Sequence, residues 1–167
     1  MKTRLDSEAQ RRSAGISVAP LALHPEAVPV LRAWFEAEWP AYYGPAGPGS
    51  AQRDLEAYAH QGSLPVGVVA LMDGEVCGVA ALKAESIASH AHLSPWAAAG
   101  LVHPSLRGRG IGRLLLGALE EQARKLGFRH IYCGTSTAHA LLQRCGWELI
   151  ETISHEGESL GIHGKAL

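Results

Sequence analysis

A turn rich in glycine and arginine joins an apolar segment to a strongly amphipathic one, and this junction limits the possible folds more than any other feature. From Ile111 onward, apolar residues recur at helical spacing and charged residues occupy the opposite side. Acidic-to-basic pairs four residues apart support this helix, and Gly127 ends it. The preceding "WAAAGLVHP" predicts a short strand that stops at Pro104. A strand that leads through a tight turn into a helix indicates an α/β architecture.

The turn itself, "RGRGIGR", predicts an anion-binding site. The first N–H groups of a helix lack intrahelical acceptors, and the helix dipole adds partial positive charge there. Glycines let a ligand approach the backbone closely, and arginines add charge-assisted hydrogen bonds or stay solvated. The residues concerned are Arg107, Gly108, Arg109, Gly110, Gly112 and Arg113. Their spacing fits neither the GxxxxGK[ST] phosphate loop nor the GxGxxG dinucleotide fingerprint.

The rest of the chain predicts a single domain, residues 15–167, preceded by a flexible N-terminal tail, residues 1–14. Asp73-Gly74 between two β-rich runs predicts a hairpin over residues 64–85. The predicted order is strand, two helices, three strands, helix, strand, helix capped by Ser136, and two strands. We therefore expect an α/β (α+β) fold with a mixed, mostly antiparallel sheet of about seven strands flanked by about four helices.

Composition excludes several classes of function. Lys and Arg number 15 against 16 Asp and Glu, so the net charge of −1 gives no basic surface for nucleic acid. No apolar run is long enough to span a membrane, and no signal peptide is recognisable. Three cysteines without CxxC spacing and nine histidines without HExxH spacing predict reduced thiols, no metal and a cytoplasmic protein.

Two segments resemble one known family. Arg107-x-x-Gly110-x-Gly112, flanked by a strand and a helix, resembles the pyrophosphate-binding motif [RQ]xxGx[GA] of the GCN5-related N-acetyltransferase (GNAT) family. "TSTAHALLQRCGW" resembles a second family pattern, Asn-x-x-Ala-x-x-Phe-Tyr-x-Lys-x-Gly-Phe. The positions that agree with it are Ala138, Leu141, Arg144, Gly146 and Trp147. Thr135 replaces the usual Asn, and Leu142 replaces the Tyr that is taken to protonate the departing thiolate in the family.

The resemblance implies acetyl-CoA as cosubstrate and an amine as acceptor, either a small molecule or a peptide amine. A neutral amine would attack the thioester directly, without an acyl-enzyme. The implied cofactor-binding residues are Leu101, Val102, His103, Arg107, Gly108, Arg109, Gly110, Ile111, Gly112 and Arg113. Leu142 leaves open an alternative, a non-catalytic CoA-binding or regulatory domain of the same fold. Dimers are common in the family, so a homodimer is possible.

The proton-transfer and acceptor residues are less constrained. An alkyl ammonium has a pKa near ~10, so a base must remove its proton, and we consider Glu85 and His92 for that role. Tyr132, Thr135 or water could protonate the thiolate. The acceptor pocket is expected to contain Trp39, Tyr42, Tyr43 and Trp96, which could instead be core or surface residues.

Overall fold

Seven β-strands form one sheet in the order β1-β2-β3-β4-β5-β7-β6. The computed structural model describes residues 15–167, and the predicted tail lies outside the described residues. The strands are β1 (Ile16–Pro20), β2 (Val66–Met72), β3 (Glu75–Lys83), β4 (Trp96–Val102), β5 (His130–Thr135), β6 (Glu148–His155) and β7 (Glu158–Ala166). Every neighbouring pair is antiparallel except β4 with β5. The predicted mixed, mostly antiparallel sheet is confirmed.

Five helices accompany the sheet in the described residues, against about four predicted. They are α1 (Ala27–Glu38), α2 (Pro40–Tyr43), α3 (Ala51–Tyr58), α4 (Ile111–Lys125) and α5 (His139–Arg144). The additional one, α2, is a single turn that begins at Pro40, where α1 has just ended. Proline cannot continue a helix but suits the first position of one, because the missing N–H would have no partner there.

The two faces of the sheet carry separate apolar cores. Leu115 and Leu119 of α4 pack with Val68 of β2 on one face. Phe35 of α1 and Leu55 of α3 pack on the other face, and α5 lies on the same face as α4. Because β2 and β3 are covered on both sides, their sequences are nearly continuous apolar runs without alternation.

β4 and β5 meet at one end and then separate. Their only register pair in the described sheet is Trp96 with Tyr132. Further along β4, the register against β3 shifts between Ala98 and Leu101, so β4 carries a β-bulge. Ala99 in this bulge has φ of 52°, a left-handed conformation that is uncommon for a residue with a Cβ. A bulge bends its strand, and this bend carries β4 away from β5 and opens a groove.

Candidate functional site

The groove between the separated strands has a volume of about 920 Å³. Ala97–Val102 of β4 form one wall, and the segment from Cys133 to Ala138 forms the other. The first turns of α4 and α5 close it on one side of the sheet, while Glu38 and Trp39 border it on the other. The groove therefore passes through the sheet from one face to the opposite one.

The beginning of α4 gives the groove an anion-binding end. Gly110 stands at the N-cap of α4 with φ of 82°, and Gly108 has φ of 79°. Leu114 N donates to Gly110 O, whereas the N–H groups of Ile111, Gly112 and Arg113 have no protein acceptor in residues 15–167. A Cβ added at Gly110 would meet nothing within 4 Å, so the space beyond the backbone is open to a ligand.

Arg107 organises this end. Its Nε donates to Val102 O at 3.2 Å, and its Nη2 lies 3.6 Å from Glu38 Oε2. These two contacts tie the turn to the end of β4 and to the end of α1. Arg113 lines the groove, but Arg109 does not. The three arginines of the motif thus have different surroundings.

The end of β4 offers the groove a free backbone donor. His103 N donates to Cys77 O, so by the alternation of an antiparallel ladder the polar groups of Val102 point away from β3. The Val102 carbonyl is bonded by Arg107, which leaves the Val102 N–H facing the groove. An extended ligand can hydrogen-bond there as an added strand would.

The last residues of β5 supply a thiol and a hydroxyl group to the groove. Thr135 Oγ1 accepts from the N–H groups of Thr137 at 3.1 Å and Ala138 at 2.9 Å. Thr135, and not the predicted Ser136, therefore stabilises the start of α5, because its oxygen reaches two free amides. Burial raises the pKa of Cys133 to about 12, so its thiol stays protonated and is a poor nucleophile.

Leu142 belongs to the core. It is 1 % exposed and packs with the core that lies beneath α4, although its side chain also borders the groove. It has no group that can carry a proton.

Most residues of the predicted cofactor site line the groove. They are Leu101, Val102, Arg107, Gly108, Gly110, Ile111, Gly112 and Arg113. His103 is directed elsewhere: its ring makes an edge contact with Trp34, with 5.1 Å between centroids, and it lines a different cavity.

The candidate bases and acceptor residues are dispersed. Glu85 and His92 are exposed and do not border the groove, so their catalytic role stays a prediction without geometric support. Trp96 is 0 % exposed, and its Nε1 donates to Leu93 O at 2.7 Å, which is the environment of a core residue. Trp39 borders the groove, and its role in binding the acceptor stays a prediction.

The two tyrosines lie beside Trp39 rather than in the groove. Tyr43 Oη donates to Asp54 at 2.6 Å. Burial, and to a lesser degree this hydrogen bond, raises the pKa of the Tyr43 phenol. Tyr42 packs on Tyr43 edge to face and is half exposed. Both can shape the acceptor side, but neither lines the groove.

Glu38 is a site residue that sequence reasoning missed. Among the described residues that line the groove, it alone carries a carboxylate. A glutamate in the last turn of an amphipathic helix is usually a solvated surface residue, so nothing in the sequence singled it out.

Two other properties concern the described residues. Within residues 15–167, no three His, Cys, Asp or Glu side chains are grouped so that they could hold a metal ion. In the same range, no helix has both the length and the apolar character required to cross a membrane.

Fold and groove together define an α/β protein that suits an extended ligand with an anionic end. The sequence model of the acetyltransferase (GNAT) family matches residues 31–147. The chain belongs to this family.

Solved structures share the fold at low sequence identity. The Salmonella typhimurium protein yncA, solved with its cofactor acetyl-CoA, is 17% identical with a TM-score of 0.71, covering 91% of this chain and 94% of that one. An aminoglycoside 6'-N-acetyltransferase complexed with coenzyme A is 14% identical with a TM-score of 0.73, over 90% and 96%. An N-acetyltransferase from Staphylococcus aureus Mu50 is 18% identical with a TM-score of 0.71, over 92% and 99%. A sequence search of curated proteins finds no match.

Proposed function

We propose that this protein is an N-acetyltransferase that moves an acetyl group from acetyl-CoA directly to an amine. The observation that carries the proposal is the groove, in which the unpaired N–H groups at the start of α4 open into the gap between β4 and β5. The groove thus joins an anion-binding end to a passage through the sheet, where a thioester and an amine can meet from opposite faces.

Acetyl-CoA fits the residues present. Its pyrophosphate would accept hydrogen bonds from the amides of Ile111, Gly112 and Arg113, and the open space at Gly110 leaves room for it. Its pantetheine arm would lie along β4 and bond the Val102 N–H. The two relatives solved with acetyl-CoA or coenzyme A share this fold and support the same ligand here.

The reaction needs a proton acceptor for the amine. The base first removes one proton from the ammonium. The freed nitrogen lone pair then forms the new C–N bond, the C–S bond breaks, and a second nitrogen proton ends on the thiolate sulfur. We assign Glu38, with Trp39 beside it, to binding the cationic amine and accepting its proton directly or through water. The ion pair of Glu38 with Arg107 is long and partly exposed, so it leaves the carboxylate accessible.

The leaving thiolate needs less help. A thiol has a pKa near ~8.5, so the thiolate departs at neutral pH without a strong acid. The Thr135 hydroxyl is held in the groove wall by two backbone amides and can donate a hydrogen bond to the thiolate, while the proton that completes the thiol comes from the attacking nitrogen through water. Leu142 has no group that can protonate or hydrogen-bond the thiolate. This favours one second candidate function, a domain that binds CoA without turnover.

Two measurements test the proposal in sequence. Calorimetric titration with acetyl-CoA gives the affinity, and a thiol-release assay against small amines, polyamines and peptides with free N-termini gives the acceptor. Binding followed by thiol release with an amine supports the acetyltransferase. Binding with only background hydrolysis across the whole panel supports the non-catalytic domain, and absence of binding contradicts both.

A further inference from the structure

A second cavity of about 530 Å³ lies outside the groove. It is bounded by the first half of α1, the turn between β2 and β3, and the segment that follows β4. Its apolar wall is formed by Val30, Leu71, Val76 and Leu106. Nothing in the proposed acetyl transfer uses this cavity, although its size is typical of small-molecule sites.

The polar groups of the cavity favour a cation. Glu26 and Glu75 border it, and among the described residues none that lines it is Lys or Arg. The backbone N–H of Glu26 and then the His24 side chain lower the pKa of the Glu26 carboxyl, which keeps it ionised at neutral pH. The half-buried indole of Trp34 offers an aromatic surface to the same space.

His103 and Ser105 add a hydrogen-bonding side. Ser105 N donates to His103 Nδ1, so in the neutral ring the proton is on Nε2. Nε2 has no partner among the described residues and remains a donor, and the Ser105 hydroxyl lies 2.7 Å from Nδ1. A ligand hydroxyl or carbonyl can bond these groups while its cationic group faces the carboxylates.

We propose that this cavity, bordered by Glu26, Trp34, Glu75 and His103, is a binding site for a small organic ammonium ion with a short polar tail. The site is coupled to the groove because Leu106 lines both cavities. The next residue, Arg107, ties the motif turn to β4 and α1. A cation that repositions His103 and Leu106 therefore changes the affinity of the groove for acetyl-CoA, a coupling that rests on the proposed function.

Choline is a suitable probe, since its nitrogen has no hydrogen and cannot be acetylated. Its neutral carbon isostere, 3,3-dimethylbutan-1-ol, has the same shape without the charge. Titration of the isotope-labelled protein without acetyl-CoA should give saturable NMR shifts at the Trp34 indole and the Glu75 and Ser105 amides. Binding of the isostere should be weaker by about fivefold or more. Equal binding of both, or shifts centred on Glu38 and Trp39, would overturn the cation site.

Charge-matched variants locate the site. E26Q/E75Q should weaken choline about fivefold or more, while E148Q/E158Q, which removes two exposed carboxylates elsewhere, should not change it. Retention of full affinity in E26Q/E75Q contradicts the proposal.

Arg11 and Arg12 precede the described chain, and Gly15 O accepts from Asp73 N beside the cavity. Tighter choline binding in R11S/R12S would identify the chain's own arginines as the ligand and overturn an external one.

The coupling is measured separately. Saturating choline should change the acetyl-CoA affinity of the wild type about twofold or more at constant ionic strength, and should not change that of E26Q/E75Q. Choline binding with an unchanged acetyl-CoA affinity would overturn the coupling. If acetyl-CoA does not bind at all, the proposed function fails, whereas the choline titration still decides the cation site.

Discussion

The two ends of the groove are built in different ways. The anion-binding end consists of the backbone of one continuous stretch, residues 107–113, at the start of α4. The other end, where acyl transfer would occur, is assembled from α1, the β4 bulge, and the segment between β5 and α5. A backbone site needs only a local conformation, whereas a side-chain site needs the whole fold. The first can therefore be recognised from seven consecutive residues, and the second cannot.

The ends also differ in charge. Arg113 accompanies the free amides at the anion-binding end, whereas the guanidinium of Arg107 reaches Val102 O and Glu38. The other end has one carboxylate, Glu38, together with neutral hydroxyl and thiol groups. This asymmetry suits a ligand with an anionic end that meets a cationic acceptor at its far end.

The largest expected effect is on stability at the transfer end. Leu142→Ala should lower the free energy of unfolding by about 2–5 kcal/mol, because it removes a buried side chain from a packed core. Leu142→Met, which conserves volume, should cost less than about 1.5 kcal/mol. Denaturant unfolding measures both. A stable Leu142→Ala protein that has lost turnover would instead assign this position to the chemistry.

The next effect concerns the backbone of the anion-binding end. Gly110→Val should reduce acetyl-CoA affinity about tenfold or more, since a β-branched residue resists a φ of 82° and the turn must rearrange. Gly117→Ala on α4, where an added Cβ meets nothing, is the matched control and should leave affinity unchanged. Calorimetry gives the comparison. An unchanged affinity in the valine variant would remove the turn from the cofactor site.

Glu38→Gln tests the carboxylate at the transfer end. We expect kcat/KM for the amine to fall about tenfold, with acetyl-CoA affinity nearly unchanged, because the amide neither attracts an ammonium nor accepts its proton. Glu36→Gln on the same helix, where Glu36 pairs with Arg32 at 2.9 Å, should keep full activity. Thiol-release kinetics measure kcat/KM for both variants. An equal loss of kcat/KM in both would show that only the charge of the helix matters and would contradict the role of Glu38.

The smallest effect comes from a buried histidine behind the transfer end. His163 lies opposite Cys133 in the β5–β7 pair, is 0 % exposed, and both its ring nitrogens lack partners. Burial lowers its pKa, so below about pH 6.5 the unfolded chain binds a proton that the folded chain does not, and stability falls. His163→Leu should flatten this decline in pH-dependent unfolding, while the exposed control His155→Gln should not. Parallel curves for wild type and His163→Leu would contradict it.

Local patterns predicted the fold well. The helix from Ile111 has its apolar stripe and Asp73-Gly74 forms the expected turn, because both depend on neighbours within a few residues. The short α2 was missed, since a one-turn helix has too few positions to show a periodicity. The start of α5 was attributed to Ser136 instead of Thr135, because both hydroxyls precede the helix and only geometry distinguishes them.

Long-range placement was harder to predict. Trp96 was expected at the acceptor pocket, but it is fully buried in an apolar cluster with Ile87 and Ile162, and Ile162 comes from a strand far along the chain. The assignment of Glu85 and His92 as bases relied on their positions in the chain, which did not reveal that both are directed to solvent. Glu38 lies at the groove because α1 ends against Arg107, a contact between residues far apart in sequence.

The sequence by itself determined the order of elements, the glycine-arginine turn and the family, since each depends on local conformation and spacing. Only the tertiary structure decided which side chains meet. The bulge at Ala99 separates β4 from β5. Because α1 packs on the sheet, its last residue, Glu38, lies at the resulting groove. The same fold turns His103 away from the groove and into a second cavity. Such contacts join residues tens of positions apart. The free energy that brings them together comes from burying apolar clusters that no single segment contains.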